Sequence, residues 1–260
     1  MNVMSLAVDL NCDLGEGFGV WPVGQDEALL EVVTSANVAC GFHAGDPDVM
    51  LRTVRQAKEL GVAVGAHPGY PDLRGFGRRE MALGPDEIYA DTLYQIGALA
   101  AVCRAAGVPL QHVKPHGALG NRAFRDRGAA TAIAAAVRDF SGDLWLVAYG
   151  GELARAGEAA GLRVAHEVYA DRAYRSDGSL VPRGEPGAVL EEAGAIAERA
   201  VRMVLAGEVL AVTGERVPLV PQTICVHGDT PSAAAMAAAL RGALTAAGAA
   251  VRPLGLAPLP

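Results

Sequence analysis

The chain has 260 residues, 51% of them hydrophobic and 20% charged, which is ample apolar material for one large core. Single α/β barrels commonly run to about 200–250 residues, so this length predicts one domain spanning residues 1–260. Lys and Arg total 22 against 29 Asp and Glu, and the net charge of -7 argues against a nucleic-acid backbone or an anionic membrane as partner.

Taken in order, the chain alternates short β-branched runs with longer Ala/Leu-rich stretches. Met1–Asp13 carries no Lys or Arg, which predicts no secretory signal. Within it, Leu6–Cys12 is the first strand, and side-chain alternation puts Asp9, Asn11 and Asp13 on one face. A Gly-rich turn with Glu16 follows, then a helix over Gln25–Thr34. The second strand, Ser35–Cys40, leads through Gly41, His43, Gly45 and Asp46 into a helix over Pro47–Leu60. Asp46 before Pro47 is a helix-capping arrangement, as is Thr230 before Pro231. Gly61, Gly107, Gly161 and Gly248 follow helices, where a left-handed closing residue is wanted.

The third strand, Ala63–Ala66, ends at His67, and a helix over Pro85–Ala106 follows the long loop Pro68–Gly84. The fourth, Gln111–Lys114, runs into Pro115 and His116, so His112, Lys114 and His116 share one face of an extended chain. A helix over Ala123–Phe140, a strand over Leu144–Ala148, a helix over Gly151–Ala160 and a strand over Arg163–Val168 come next. After the second long loop, Asp171–Gly187, lie a helix over Ala188–Leu205 and a hairpin within 207–222, with arms Val209–Thr213 and Arg216–Val220. The last strand, Thr223–Val226, ends at His227 and Asp229, and a helix over Ser232–Ala247 closes the series. The apolar stretches Gly97–Cys103 and Ala233–Leu240 stop at Arg104 and Arg241, short of the roughly 20 residues of a membrane span. The four cysteines, at 12, 40, 103 and 225, form no CxxC pair and read as small buried hydrophobes in a reducing cytoplasm.

Strand–helix alternation means parallel strands with helical crossovers. No GxGxxG follows the first strand, and polar residues collect after nearly every strand, so the expected fold is a distorted (β/α) barrel of about seven strands. Four histidines, His43, His67, His116 and His227, each stand next to or near Gly or Pro at equivalent strand ends. With Asp13 and Glu16 they predict a convergent site for general acid–base catalysis or for a divalent metal. Asp9 fits equally a buried hydrogen-bond network at the barrel base. No HExxH, GxSxG or GxxxxGK[ST] is present, so zincin, nucleophile-elbow and P-loop chemistry lack support.

Asp9–Gly19, Ala36–Pro47, Gly65–Arg79, Val113–Leu119, Glu167–Arg183 and Ile224–Pro231 together resemble the LamB/YcsF family, regarded as the A component of the bacterial ATP-dependent 5-oxoprolinase. DLNCDLGEGFG and ACGFHAGDP are its long, specific signatures here; at Gly120 the family's usual Tyr is missing. The resemblance implies a barrel similar to those of glycoside hydrolases and deacetylases. It also implies hydrolysis of 5-oxo-L-proline to L-glutamate coupled to ATP hydrolysis, with two further 5-oxoprolinase subunits, B and C. Lys114, Arg172 and Arg183 would then meet the substrate carboxylate and phosphoryl oxygens, beside Asn11, Asp46 and Asp229. Asp13, Glu16, His43, His67, His116 and His227 would supply acid and base, with Lys114 in the catalytic set. Arg172 and Arg183 are equally readable as loop anchors, and Asp46 as a cap. Without a P-loop, the ATP site is expected to be unorthodox or shared with the partner subunits. Two other readings stand beside this one: a metal-dependent deacetylase or amidase with Asp13, His43 and His67 as ligands, and a non-enzymatic subunit that binds 5-oxoproline or a partner protein.

Overall fold

The protein is described by a computed structural model covering residues 6–226 and 233–255. Seven parallel strands form a closed ring: β1 (Ala7–Leu14), β2 (Ser35–Ala39), β3 (Ala63–His67), β4 (Leu110–Val113), β5 (Trp145–Ala148), β6 (Arg163–Tyr169) and β7 (Thr223–Val226), with β7 pairing back onto β1. The crossovers carry α1 (Asp26–Leu30), α2 (Pro47–Leu60), α3 (Pro85–Ala106), α4 (Gly117–Arg125), α5 (Arg127–Phe140), α6 (Gly151–Ala159) and α7 (Ala193–Ala206). An eighth helix, α8 (Ala233–Ala246), follows β7. This is the seven-stranded (β/α) barrel that the alternation predicts. Within 207–222, Glu208–Leu210 and Arg216–Pro218 pair antiparallel, as shorter arms than the sequence suggested.

Several boundaries differ from expectation for identifiable reasons. The stretch expected as one helix over Ala123–Phe140 is two helices, because Asp126 leaves the helical region (φ -106, ψ 108). Its carboxylate then accepts from the Gly128 and Ala129 amides, capping α5. The helix after the second long loop starts at Ala193 instead of Ala188, because Glu192 accepts from the Gly194 and Ala195 amides. The first helix is only five residues long. An unexpected short strand, Ala250–Val251, pairs with the start of β1. The proposed cap at Thr230 lies outside the described residues, whereas Asp46 caps α2 by accepting from the Asp48 and Val49 amides.

Alternation along β1 sorts its side chains as expected. Leu10, Cys12 and Leu14 are fully buried in the apolar core, while Asp9, Asn11 and Asp13 meet polar partners from other strands. At the lowest level, the Asp9 carboxylate accepts from Thr34, Ser35 and Thr223 hydroxyls at 2.6–2.7 Å. Burial pushes its pKa up, and those three hydroxyls pull against it. One level higher, Asn11 Nδ2 donates to Thr223 Oγ1 (2.6 Å) and Glu167 Oε1 (3.0 Å), and its Oδ1 accepts from Asn37 Nδ2 (2.7 Å). His112 Nε2 donates to Asn37 Oδ1 at 2.8 Å. Gly65 makes that reach possible, since a Cβ at this position would stand 2.0 Å from His112 Nε2. A polar interior of this kind is stable only because each group finds a partner across the barrel.

Candidate active site

The third level opens at the C-terminal mouth of the barrel, where barrel enzymes carry their chemistry. Asp13 stands near the end of β1, Glu16 in the turn beyond it, His43 after β2, and His67 at the end of β3. Beyond β4 the chain keeps its extended course: Lys114 N donates to Ala66 O and His116 N to Pro68 O. Lys114 and His116 therefore project to the same side, with Pro115 blocking any helix until Gly117.

Lys114 Nζ sits 3.0 Å from Asp13 Oδ1, 2.9 Å from Glu167 Oε1, 3.2 Å from Asn11 Oδ1 and 3.0 Å from Cys225 Sγ. Burial works against the ammonium, but the charges around it, Asp13 first, outweigh burial and hold its pKa well above the usual lysine value. Tyr169 donates its hydroxyl to Glu167, and burial drives the phenol pKa far up. The result is a cation kept charged at any working pH, fixed between two carboxylates.

The imidazoles form a second cluster against the first. His67 Nδ1 donates to Lys114 O at 2.7 Å, which leaves Nε2 facing Asp13 Oδ2 (3.3 Å) and His116 Nδ1 (3.0 Å). His116 Nε2 donates to Phe76 O at 2.8 Å. His43 stacks on His116 with centroids 3.7 Å apart and planes 4° from parallel, and its Nε2 lies 3.2 Å from Glu16 Oε1. Burial, helped by the neighbouring histidines, lowers the His43 pKa far below the usual value and takes that of His116 down to about 3. Both rings are thus neutral near pH 7, ready to accept a proton. His43 Nδ1 is buried with no hydrogen-bond partner among the described residues.

Two loop features hold this cluster. Phe76 sits at φ 54, a left-handed conformation that costs a non-glycine residue about 1–2 kcal/mol. That conformation delivers its carbonyl to His116 and its ring edgewise to His43 and His116, at 5.8 and 5.5 Å. Gly77 (φ 61) leaves room beside them, because a Cβ there would stand 2.7 Å from His43 Cβ. Single ligand-capable atoms of Glu16, His43, His67 and His116 all lie within 4.8 Å of one another, so this buried group could hold a metal ion.

The mouth therefore brings together Asp13, Glu16, His43, His67, Lys114 and His116. Asn11 lies one level below them, and His227 and Asp229 lie outside the described residues. Asp46 caps α2 and accepts from Gly19 N at 2.6 Å, tying the Gly-rich turn to the next unit. Arg172 is buried and donates to Val181 O (2.7 Å) and Ala188 O (3.3 Å), inside its own loop. Arg183 is exposed. Of the expected metal set Asp13, His43 and His67, Asp13 lies against His67 and Lys114, and His43 lies against Glu16 and His116.

Sequence reasoning singled out neither Asn37, Glu167 nor Tyr169 as site residues. A signal existed for two of them: Glu167 is the one acid of its strand, two positions after Ala165 on the same face, and Asn37 repeats the inward polar step of Ser35. At Gly120, buried in α4, a Cβ would meet Pro115 O at 2.9 Å. Aromatic surface next to that turn comes from Phe124 stacked on Tyr149, whose hydroxyl donates to Asn121.

Comparison with known proteins agrees with this architecture. The LamB/YcsF family profile matches residues 8–257. The 5-oxoprolinase A subunits of Symbiobacterium thermophilum and Methylococcus capsulatus are each 58% identical, over 94% of both chains and 97% of both chains respectively. The one from Pyrococcus abyssi is 54% identical over 96% of this chain and 98% of its own. Among solved structures, a lactam utilization protein from Thermus thermophilus superposes with a TM-score of 0.90 at 52% identity, covering 95% of this chain and 99% of that one. The catalytic domain of a peptidoglycan N-acetylglucosamine deacetylase from Eubacterium rectale shares the fold alone, with a TM-score of 0.52 and 13% identity over 100% of this chain and 93% of that one. With a family profile spanning nearly the whole chain and relatives above half identity end to end, the chain belongs to the LamB/YcsF family.

Proposed function

We propose that the chain is the ring-opening component of a cytoplasmic, ATP-dependent 5-oxoprolinase that hydrolyses 5-oxo-L-proline to L-glutamate together with the B and C subunits. The observation that carries this reading is end-to-end identity of 53–58% to proteins named as 5-oxoprolinase A subunits. A five-membered lactam is an unreactive amide, so opening it at neutral pH calls for activation, and transfer of a phosphoryl group from ATP to the amide oxygen creates a good electrophile for water. The residues at the mouth suit the steps that remain. Neutral His43, whose Nδ1 has no other partner among the described residues, can take a proton from the attacking water, with Glu16 holding its Nε2. The Lys114 ammonium stabilises negative charge on the phosphoryl group carried by the former lactam oxygen. The proton taken by His43 then passes to the departing ring nitrogen, leaving an acyl phosphate that a second water hydrolyses to glutamate and phosphate. His227, Asn11, Asp46, Arg183 and Asp229 remain proposed contributors to catalysis or binding. Arg172 acts through the loop it holds.

The test is release of glutamate and ADP by the chain alone, with each partner subunit singly, and with both. The expected outcome is little or no turnover alone and coupled turnover with both partners. Full coupled turnover by the isolated chain would show that it carries its own nucleotide site. No glutamate under any combination would overturn the assignment. The deacetylase reading draws only on a shared fold at 13% identity. The binding-subunit reading predicts that His43→Ala weakens 5-oxoproline binding and leaves turnover at saturation intact, whereas a catalytic His43 loses turnover first.

A further inference from the structure

The His67–His116 contact poses a proton-counting problem. His67 Nδ1 is committed as donor to Lys114 O and His116 Nε2 as donor to Phe76 O. If both rings are neutral, His67 Nε2 and His116 Nδ1 present bare lone pairs to each other across 3.0 Å. Two lone pairs at that distance repel unless an electrophile lies between them. Carboxylate oxygens flank the same point: Asp13 Oδ2 is 3.3 Å from His67 Nε2, and Glu16 Oε1 is 3.7 Å from His116 Nδ1.

These three separations, 3.0, 3.3 and 3.7 Å, fall around the donor–donor edge of about 3.3–3.4 Å in a tetrahedron with metal–ligand bonds of about 2.0–2.1 Å. Backbone carbonyls that fix the outer nitrogen of each imidazole are the usual second contact of metal-ligating histidines. His43 does not fit the same role. Its ring lies parallel to His116, 4° apart, and an ion in the plane of one ring is out of the plane of the other. What His43 does is place its Nε2 on Glu16 Oε1.

We propose that His67 Nε2, His116 Nδ1, Asp13 Oδ2 and Glu16 Oε1 form a site for one first-row divalent metal ion of the zinc class, with His43 positioning Glu16. Two imidazoles and two carboxylates are a donor set that zinc accepts and that magnesium or calcium does not favour. The site stands on the chain's own geometry and holds whether or not the chain opens a lactam, so its test reads binding and not turnover.

The full chain, stripped with a chelator and dialysed, is titrated with Zn2+ and Co2+. One retained equivalent by elemental analysis is expected, and Co2+ should give the intense visible bands of a tetrahedral nitrogen–oxygen site. His67→Ala and His116→Ala should each lose at least about 100-fold in affinity, and His43→Ala about 10-fold while keeping one equivalent, in line with outer-contact losses of about 10–100-fold. His166→Ala, at a partly exposed position, should bind like the parent. Should a variant fail to fold, imidazole nitrogen shifts of the parent chain give the same reading. Zn2+ should move His67 Nε2 and His116 Nδ1 and leave His67 Nδ1 nearly in place. The proposal is overturned if the parent retains no equivalent and NMR finds a shared proton between the two rings, or if affinity survives loss of His67.

Discussion

Lys114 illustrates how much one side chain can hold in place. Its ammonium lies between Asp13 and Glu167, at 3.0 and 2.9 Å, and is almost wholly shielded from water. Replacing it with Met would leave the buried Glu167 and the partly buried Asp13 without that ammonium, and loss of one partner from a buried pair costs about 3–5 kcal/mol. Urea denaturation of Lys114→Met should show a loss of that size; a change below about 1 kcal/mol would mean that the carboxylates are protonated or otherwise compensated. His112 gives a pH test. Burial, with Lys114 adding to it, lowers its folded pKa to about 3, against a reference value of 6.5. Between those values the unfolded chain binds a proton that the native chain refuses, so stability is full above pH 6.5 and declines as pH falls towards 3. Each such histidine contributes a slope of about 1.4 kcal/mol per pH unit within that window. Urea midpoints measured across it should fall with acid, and His112→Gln should flatten the slope by up to one proton's worth.

At the scale of elements, punctuation residues decided what could be read from sequence. Asp46-Pro47 and Gly107 mark helix ends that the structure reproduces to the residue, because each satisfies orphan backbone groups in only one way. Asp126 was missed since it sits between two good helix formers, Arg125 and Arg127, directly ahead of an Ala-rich run. Asp126→Ala should cost about 1 kcal/mol through the lost α5 cap, measurable as a lower urea midpoint. Ala250–Val251 offers two residues and no pattern, so its pairing with β1 depends on where α8 deposits the chain. The loop over 171–187 looked functional from its length, and Arg172 was readable as an anchor, but only the fold supplies its partners, the Val181 and Ala188 carbonyls of its own loop. Arg172→Ala should therefore raise the rate of limited proteolysis within 175–187 several-fold, with little change in global stability, since opening is local. Equal cleavage rates in parent and variant would show that the bridges Arg172–Val189 and Tyr174–Leu180 suffice to hold the loop.

For the whole molecule, the barrel was legible because closure imposes a repeat. Each strand–helix unit ends in polar residues at the same place, and Asp13, His43, His67, Lys114 and His116 can be read off as such ends. The interior levels were less legible. Asn37 meets Asn11 through the β1–β2 register, and Glu167 meets Lys114 across two strand pairings, β4 with β5 and β5 with β6. The His43–His116 stack was out of reach, because it depends on Phe76 and Gly77 folding back from a loop.

The chain contains two tryptophans, and the fold sends them to opposite ends. Trp21 is 70% exposed in the turn that follows Glu16, where its backbone pairs with Phe18. Trp145 opens β5 at the far end of the barrel, with the Arg163 guanidinium 5.0 Å from its ring centroid. The protein thus carries its own pair of optical reporters. In Trp145→Phe, all remaining indole emission would come from the mouth, with the red-shifted maximum of a wet indole. Anything that covers the barrel mouth should then shift that emission to the blue and slow its quenching by iodide, so occupancy can be followed in real time without a label.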